Sequence, residues 1–239
     1  MVEGLVAAGA RVYITSRSEQ VLKEASQSLT AQGPGKCDYI VCDITDPEQV
    51  QQLAHKLTEL EPNGLHALIN NCGRTYVANY NDHPDDEFLM SKTLLPLLKR
   101  VATKECPTRI INITSAGLIH LTKDMAQKFA PDNITVNSIS PGSIDSPMLR
   151  DTLPEDFFMQ LPDLVPLRRL GNTIGITGAV VFLAANAPAS ESAATAAVAA
   201  VASVASDGIF AASCAAFSAN FFCPFLLLSL PLLLPSLLR

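Results

Sequence analysis

The sequence has no tryptophan, few aromatic residues and almost no charge over its last fifth. Between Ser192 and Leu238 the only charged residue is Asp207, whereas charged residues recur regularly before about residue 190. The chain therefore joins two compositions. We expect residues 1–190 to form one domain of ordinary size. We expect residues 191–239, which are alanine-rich and then leucine-, phenylalanine- and proline-rich, to form a tail outside the fold.

Other absences exclude several classes of protein. No run of Lys or Arg occurs and the formal net charge is −6, which argues against a nucleic-acid surface. The six cysteines form no CxxC pair and no metal-ligand spacing with histidine, so we expect free thiols in a reducing, cytoplasmic compartment and no metal site. Met1 to Ala10 lacks the basic start of a secretory signal.

The uncharged tail is long enough to span a bilayer, but its composition does not favour an anchor. Pro224, Pro231 and Pro235 interrupt it, and no basic cluster flanks its start. Membrane attachment is therefore not the expected role.

Short β-branched or apolar runs alternate with segments of helical periodicity. The runs typical of strands are residues 11–15, 39–42, 65–69, 109–113 and 134–139. The helical segments are residues 1–8, 19–31, 47–60, 87–102, 118–129 and 177–185. This alternation predicts an α/β fold with a doubly wound parallel sheet and right-handed crossovers.

Small or polar residues follow each predicted strand. They are Ser16 and Arg17, Asp43, Asn70 to Gly73, Thr114 and Ser115, and Ser140 to Ser146. Ligands of open parallel sheets bind beyond the carboxyl ends of the strands. The pattern therefore predicts a ligand crevice along this edge.

Several short motifs occur in one order along the chain. They are AAGARVYITSR, CDITD, LINNCG, LLPLLKR, RIINITSAG, FAPDNITVNSISPGSIDSPM and PLRRLGNTIGITGAVVFLA. By their order and spacing, residues 2 to 190 resemble the short-chain dehydrogenase/reductase family, and most of all its fungal and bacterial 3-oxoacyl-carrier-protein-reductase-like members. The resemblance implies an incomplete Rossmann-like domain that binds a nicotinamide dinucleotide.

The resemblance implies roles at the adenosine end of the cofactor. Ser16 and Arg17 follow the strand that meets the adenosine ribose, where a guanidinium suits a 2′-phosphate and so favours NADP(H) over NAD(H). A solvated surface arginine is the alternative. Asp43, with Ile44 beside it, matches the position that meets the adenine amino group. The alternative for Asp43 is a residue at the entry of the following helix.

Further roles follow around the nicotinamide. Asn70 would stabilise the central sheet, and Cys72 and Gly73 would let the backbone approach the cofactor. Pro141, Gly142, the backbone near Ile144 and the hydroxyl of Ser146 would hold the nicotinamide amide. Ser115 matches the catalytic serine that hydrogen-bonds the substrate carbonyl, and an ordinary serine at a strand end is its alternative.

Four elements of the family have no match in the sequence. They are the opening strand with its glycine-rich turn, an Asn in the helix before RIINI, the YxxxK pair and the closing strand. All four tyrosines precede Ser115, so the family's proton-transferring Tyr and the Lys that lowers its pKa are absent.

The function implied is NADP(H)-dependent reduction of a carbonyl or 3-oxoacyl group by hydride transfer, on a small-molecule carbonyl or alcohol substrate. We expect this chain to be inactive. Its interface helices are incomplete, so a family-type homo-oligomer is an open expectation. Two alternatives remain: a non-catalytic product of alternative splicing or of an incorrect gene model, and a membrane-tethered nucleotide-binding remnant.

Overall fold

A computed structural model describes residues 1–71, 89–114, 118–185 and 197–201. Its strands are Arg11–Ser16 (β1), Lys36–Val41 (β2), Ala67–Asn70 (β3), Thr108–Ile113 (β4), Ile134–Ile139 (β5) and Ala197–Val201 (β6). Its helices are Val2–Ala7 (α1), Glu19–Thr30 (α2), Pro47–Leu60 (α3), Leu89–Val101 (α4), Leu118–Phe129 (α5), Pro147–Thr152 (α6), Glu155–Leu164 (α7) and Thr173–Ala184 (α8).

Local signals in the sequence set several of these boundaries. Asp46 caps α3, because its carboxylate accepts hydrogen bonds from the backbone N–H groups of Glu48 and Gln49, and Pro47 fits the first turn. Gly9 ends the segment after α1 with a φ of 88°, a backbone conformation that glycine adopts without strain. Helix and strand thus begin and end where the side-chain chemistry permits.

The six strands form one parallel sheet in the order β2-β1-β6-β3-β4-β5. Because all strands run the same way, their carboxyl ends meet at one edge. The predicted doubly wound parallel sheet is confirmed.

The sheet is buried on both faces because its strands alternate. Val12 and Ile14 of β1 pack with α1, α2 and α8, whereas Tyr13 packs with α3, α4 and α5. In the same way, Leu68 of β3 faces the second group of helices and Ile69 the first. Two cores on opposite faces are the packing expected of a parallel sheet covered by helices.

Strand β6 corrects the expectation that everything after residue 190 lies outside the fold. Residues 197–201 pair with β1 on one side and with β3 on the other, four register pairs each. The sequence AVAAV gives little local sign of a strand, because alanine is depleted in strands. Its conformation is set by pairing with strands that lie far away in the chain. For residues 202–239, which lie outside the described residues, the predicted tail stays a prediction.

Three further elements differ from the expectation. Helix α8 begins at Thr173 rather than at residue 177, because the Asn172 side chain accepts a hydrogen bond from the N–H of Gly175 and starts the helix one turn earlier. Helices α6 and α7 were not predicted, since α6 has six residues and α7 contains Pro162.

Over residues 1–71, 89–114, 118–185 and 197–201, no helix has the length and apolarity needed to cross a membrane. The same part of the chain holds no cluster of metal-ligating side chains.

Candidate functional site

The carboxyl edge of the sheet brings the predicted site residues into one row. Because the strand order is fixed, the row runs from Asp43 after β2, through Ser16 at the end of β1, past the end of β6, to Asn70 of β3 and then to the segment after β5. Four strand spacings separate β1 from β5, about 19 Å at the usual distance between strands. An extended ligand can therefore contact both halves of the row.

Asp43 lies half-buried in a tight turn after β2. Its Oδ1 accepts hydrogen bonds from the backbone N–H and the hydroxyl of Thr45, at 2.9 and 2.7 Å. These bonds, and more weakly the positive charge of Arg17, lower the pKa of Asp43 below its ordinary value. The backbone N–H of Asp43 donates to Oε1 of Gln49. Asp43 therefore presents a fixed, ionised carboxylate at the edge, and the helix-entry role belongs to Asp46.

Arg17 and Ser18 link β1 to the start of α2. Ser16 is half-buried, and its carbonyl accepts from the N–H of Cys42, which fixes the end of β1 against β2. Arg17 is exposed. Ser18 is the N-cap residue of α2, but its hydroxyl makes no capping hydrogen bond. An exposed guanidinium thus adjoins the positive end of a helix dipole, a combination that favours an anionic group.

Asn70 belongs to a chain of four side chains that ties the sheet to two helices. Its Nδ2 donates to Ser91 Oγ of α4 at 3.0 Å and to Asn112 Oδ1 of β4 at 2.8 Å. Asn112 Nδ2 in turn donates to Thr122 Oγ1 of α5 at 3.1 Å. Ser91, Asn112 and Thr122 are all buried. Buried amides are costly without partners, so this chain fixes how β3, β4, α4 and α5 pack together.

Of these four hydrogen-bonded residues, only Asn70 was predicted from the sequence to have a role. Ser91, Asn112 and Thr122 sit on different elements with no shared motif. The one signal that could have found them is the occurrence of small polar residues in otherwise apolar strand and helix faces.

The segment after β5 is held in place by backbone pairing. Ile144 bridges Gly171; the N–H of Asp145 donates to the Gly171 carbonyl, and the N–H of Gly171 donates to the Ser143 carbonyl. A side chain on residue 171 would collide with Ile144. Glycine at this position therefore leaves room for the end of the Ile144 side chain.

Gly142 and Ser146 keep groups available in this segment. A Cβ on Gly142 would meet no atom within 4 Å, so open space adjoins its backbone, next to the half-buried Pro141. Ser146 Oγ accepts from the N–H of Leu149 at 3.3 Å and caps α6. That bond uses a lone pair and leaves the hydroxyl proton to donate. Capping is thus compatible with a second role for Ser146.

Thr114 joins the ends of β4 and β5. Its Oγ1 lies 3.1 Å from Ser140 Oγ, and its N–H donates to the Ile139 carbonyl. The next residue, Ser115, lies outside the described residues, as do Cys72 and Gly73. The last described residue before Cys72 and Gly73 is Asn71, and the last before Ser115 is Thr114.

Family models match nearly the whole described chain. One described as short chain dehydrogenase matches residues 1–117. A second, described as Enoyl-(Acyl carrier protein) reductase, matches residues 100–203 and so includes β6. The chain is 32% identical over 213 residues to the 3-oxoacyl-[acyl-carrier-protein] reductase FabG of Salmonella typhimurium, covering 77% of this chain and 83% of that protein. The chain belongs to the short-chain dehydrogenase/reductase family.

Similar proteins within the family include a reductase of Pseudomonas aeruginosa. The rhamnolipids biosynthesis 3-oxoacyl-[acyl-carrier-protein] reductase of that organism is 28% identical over 218 residues, which are 78% of this chain and 84% of the relative. A solved Pseudomonas aeruginosa structure, the RhlG/NADP active-site complex, superimposes with a TM-score of 0.69 at 28% identity, over 83% of this chain and 88% of that one. Membership and the Rossmann-like fold expected from the sequence are both confirmed.

Proposed function

We propose that the chain binds NADP(H) along the carboxyl edge of its sheet. We also propose that, unlike an active oxidoreductase of the short-chain dehydrogenase/reductase family, it turns over a carbonyl or 3-oxoacyl substrate poorly or not at all. The observation that carries the binding proposal is the row of site residues on one edge, from Asp43 and Arg17 to the segment 141–146, with β6 completing the sheet between its two halves. The similar solved structure from Pseudomonas aeruginosa is an RhlG/NADP active-site complex, and this supports NADP(H) as the cofactor proposed for this chain.

Arg17 supports the preference for NADP(H) over NAD(H). A 2′-phosphate adds charge at the ribose, and Arg17 presents an exposed guanidinium beside the first turn of α2. The Ser18 hydroxyl makes no capping bond and is available to the same phosphate. Arginine forms strong charge-assisted hydrogen bonds to phosphate. Asp43 adds a fixed carboxylate on the neighbouring strand, suited to accept from the adenine amino group.

The segment after β5 fits the nicotinamide end. Open space adjoins Gly142, and the Ser146 hydroxyl retains its proton as a donor for the amide oxygen. When bound, the reduced nicotinamide supplies the hydride. Ser115 would donate a hydrogen bond to the substrate carbonyl, as the family motif RIINITSAG implies.

The proton for the reduced carbonyl has no clear source in this sequence. No tyrosine follows Ser115, and Lys123 and Lys128 of α5 are exposed. Without a positioned acid of suitable pKa, general acid catalysis, worth about 10²–10⁴-fold in rate, is lost. We therefore propose binding with little turnover.

The test is a titration of the full chain with NADPH and with NADH, followed by nicotinamide fluorescence, together with absorbance at 340 nm in the presence of 3-oxoacyl thioesters. The proposal expects saturable binding, tighter for NADPH, and no oxidation above the rate without protein. Turnover like that of a FabG enzyme would overturn the catalytic part. Absence of binding would overturn the whole.

A further inference from the structure

A paired carboxylate and guanidinium lie where the segment after β5 meets α6. Arg150 Nε donates to Asp145 Oδ1 at 2.7 Å, and Arg150 Nη2 donates to Asp145 Oδ2 at 2.6 Å. The two groups therefore meet through two parallel hydrogen bonds, a geometry that fixes the relative orientation of both planes.

Phe158 of α7 packs against the same guanidinium. The Arg150 guanidinium carbon lies 4.9 Å from the centre of the Phe158 ring. Phe158 itself packs on the small core formed by Leu153 and Leu161. Arg150 thus contacts both Asp145 and, through Phe158, the small core between α6 and α7.

Asp145 stands between the two groups assigned to the nicotinamide amide. The backbone of Ile144 precedes it and the hydroxyl of Ser146 follows it. The backbone of Asp145 is bound to Gly171, and its side chain to Arg150. A change in the backbone of Asp145 would therefore act on both neighbours.

We propose that Arg150 and Asp145 are a positioning pair, which sets the Ile144 backbone and the Ser146 hydroxyl for the nicotinamide half of the dinucleotide. This inference rests on the proposed function. Neither side chain touches the cofactor in it; both act through the segment that they hold.

Exposure separates this role from a general structural one. The side chains are 57% exposed for Arg150 and 40% for Asp145, and exposed ion pairs contribute little to the stability of a fold. Loss of the pair should therefore leave the melting temperature of the protein unchanged while it weakens one half of the ligand site.

The experiment compares two probes on full-length variants. NADPH reaches both halves of the row, whereas adenosine 2′,5′-bisphosphate carries only the adenosine end. For Arg150→Ala we expect the Kd for NADPH to rise about two- to fivefold and the Kd for the bisphosphate to stay unchanged. Arg150→Lys keeps the charge but not the two parallel bonds, and should behave like the alanine variant. Exchanging the pair (Asp145→Arg with Arg150→Asp) should restore part of the affinity.

Lys99→Ala is the matched control, because it removes one positive charge from an exposed ion pair with Asp132, before the amino end of β5. It should change neither Kd. Equal NADPH affinity in the Arg150 variants, or an equal loss for both probes, would overturn the positioning role while the proposed function stands. A wild-type chain that binds neither probe would overturn both.

A second readout needs no ligand. In the free protein, hydrogen–deuterium exchange at the Asp145 amide, which donates to the Gly171 carbonyl, should be faster in Arg150→Ala than in the wild type. Unchanged exchange there contradicts the proposal.

Discussion

Removal of β6 is expected to unfold the sheet, even though β6 comes from a segment whose sequence gives little sign of structure. A chain that ends at residue 190 keeps all described helices and β1–β5 but loses the strand between β1 and β3. Strands β1 and β3 each pair with β6 and do not pair with each other. Without β6, the sheet would therefore divide into a pair (β2, β1) and a triplet (β3, β4, β5).

The size of the effect follows from the pairing. Strand β6 makes four register pairs with each neighbour. With about one hydrogen bond for each pair at a net ~0.5–1.5 kcal/mol, the loss is roughly 4–12 kcal/mol. This range is comparable with the whole stability of an ordinary domain, about 5–15 kcal/mol. Val12 and Ile69, which share one core across β6, would lose their common packing as well.

The assay compares chains 1–190 and 1–205 by near-ultraviolet circular dichroism and thermal unfolding. The longer chain should unfold cooperatively, whereas the shorter one should show no cooperative transition. Within the full chain, Ala199→Pro should have a similar effect, because it removes a backbone donor from a central strand, and Ala212→Pro, beyond the strand, serves as its control. If chain 1–190 were as stable as chain 1–205, the place of β6 in the sheet would be refuted.

Three further outcomes are expected. Arg17→Ala should raise the Kd for NADPH at least about tenfold and leave that for NADH unchanged, since a charge-assisted bond to phosphate is lost; equal losses for both cofactors would contradict the role of Arg17. Asn112→Ala should lower the free energy of unfolding in urea by about 2–3 kcal/mol, because it removes the buried Asn112 amide and takes one hydrogen-bond partner from the half-buried Asn70 side chain; a loss no larger than that of an exposed Asn→Ala control would contradict it. Burial raises the pKa of the Cys37 and Cys42 thiols to about 11 from 9.0, so the unfolded chain loses these protons first. The contribution of the two thiols to the free energy of unfolding is then fully present below pH 9 and is lost between pH 9 and 11, by roughly 2 kcal/mol for each thiol. Cys42→Ala should make this loss smaller in urea titrations at different pH values.

Local chemistry explains why most of the fold could be predicted. Strand β1 and helix α5 lie within one residue of their predicted bounds, because a β-branched run and a clear apolar face each determine one conformation. Strand β6 could not be predicted, since its conformation depends on β1 and β3, more than a hundred residues away. Helix α7 was missed because Pro162 argues against a helix locally, while Leu161 is buried in a core that the sequence does not indicate.

The candidate site, too, could be predicted from the sequence only in part. The strand ends were predicted from sequence order, because parallel strands place their carboxyl ends on one edge. The partners of Asn70, and the pairing of Asp145 with Arg150, depend on side-chain positions that no motif encodes. Roles for Ser115, Cys72 and Gly73 stay predictions, as these residues lie outside the described part of the chain.

The most direct test of the account is hydrogen–deuterium exchange of the full chain with and without saturating NADPH. The dinucleotide should lie in one crevice that spans both sides of β6. With NADPH, exchange should become slower in two separate stretches of the edge row, one made by residues 16–18 and 43–45 together and the other by residues 140–146, and should not change at the amino ends of the strands. Protection of neither stretch, or of only one of them, would contradict a single crevice across the completed sheet.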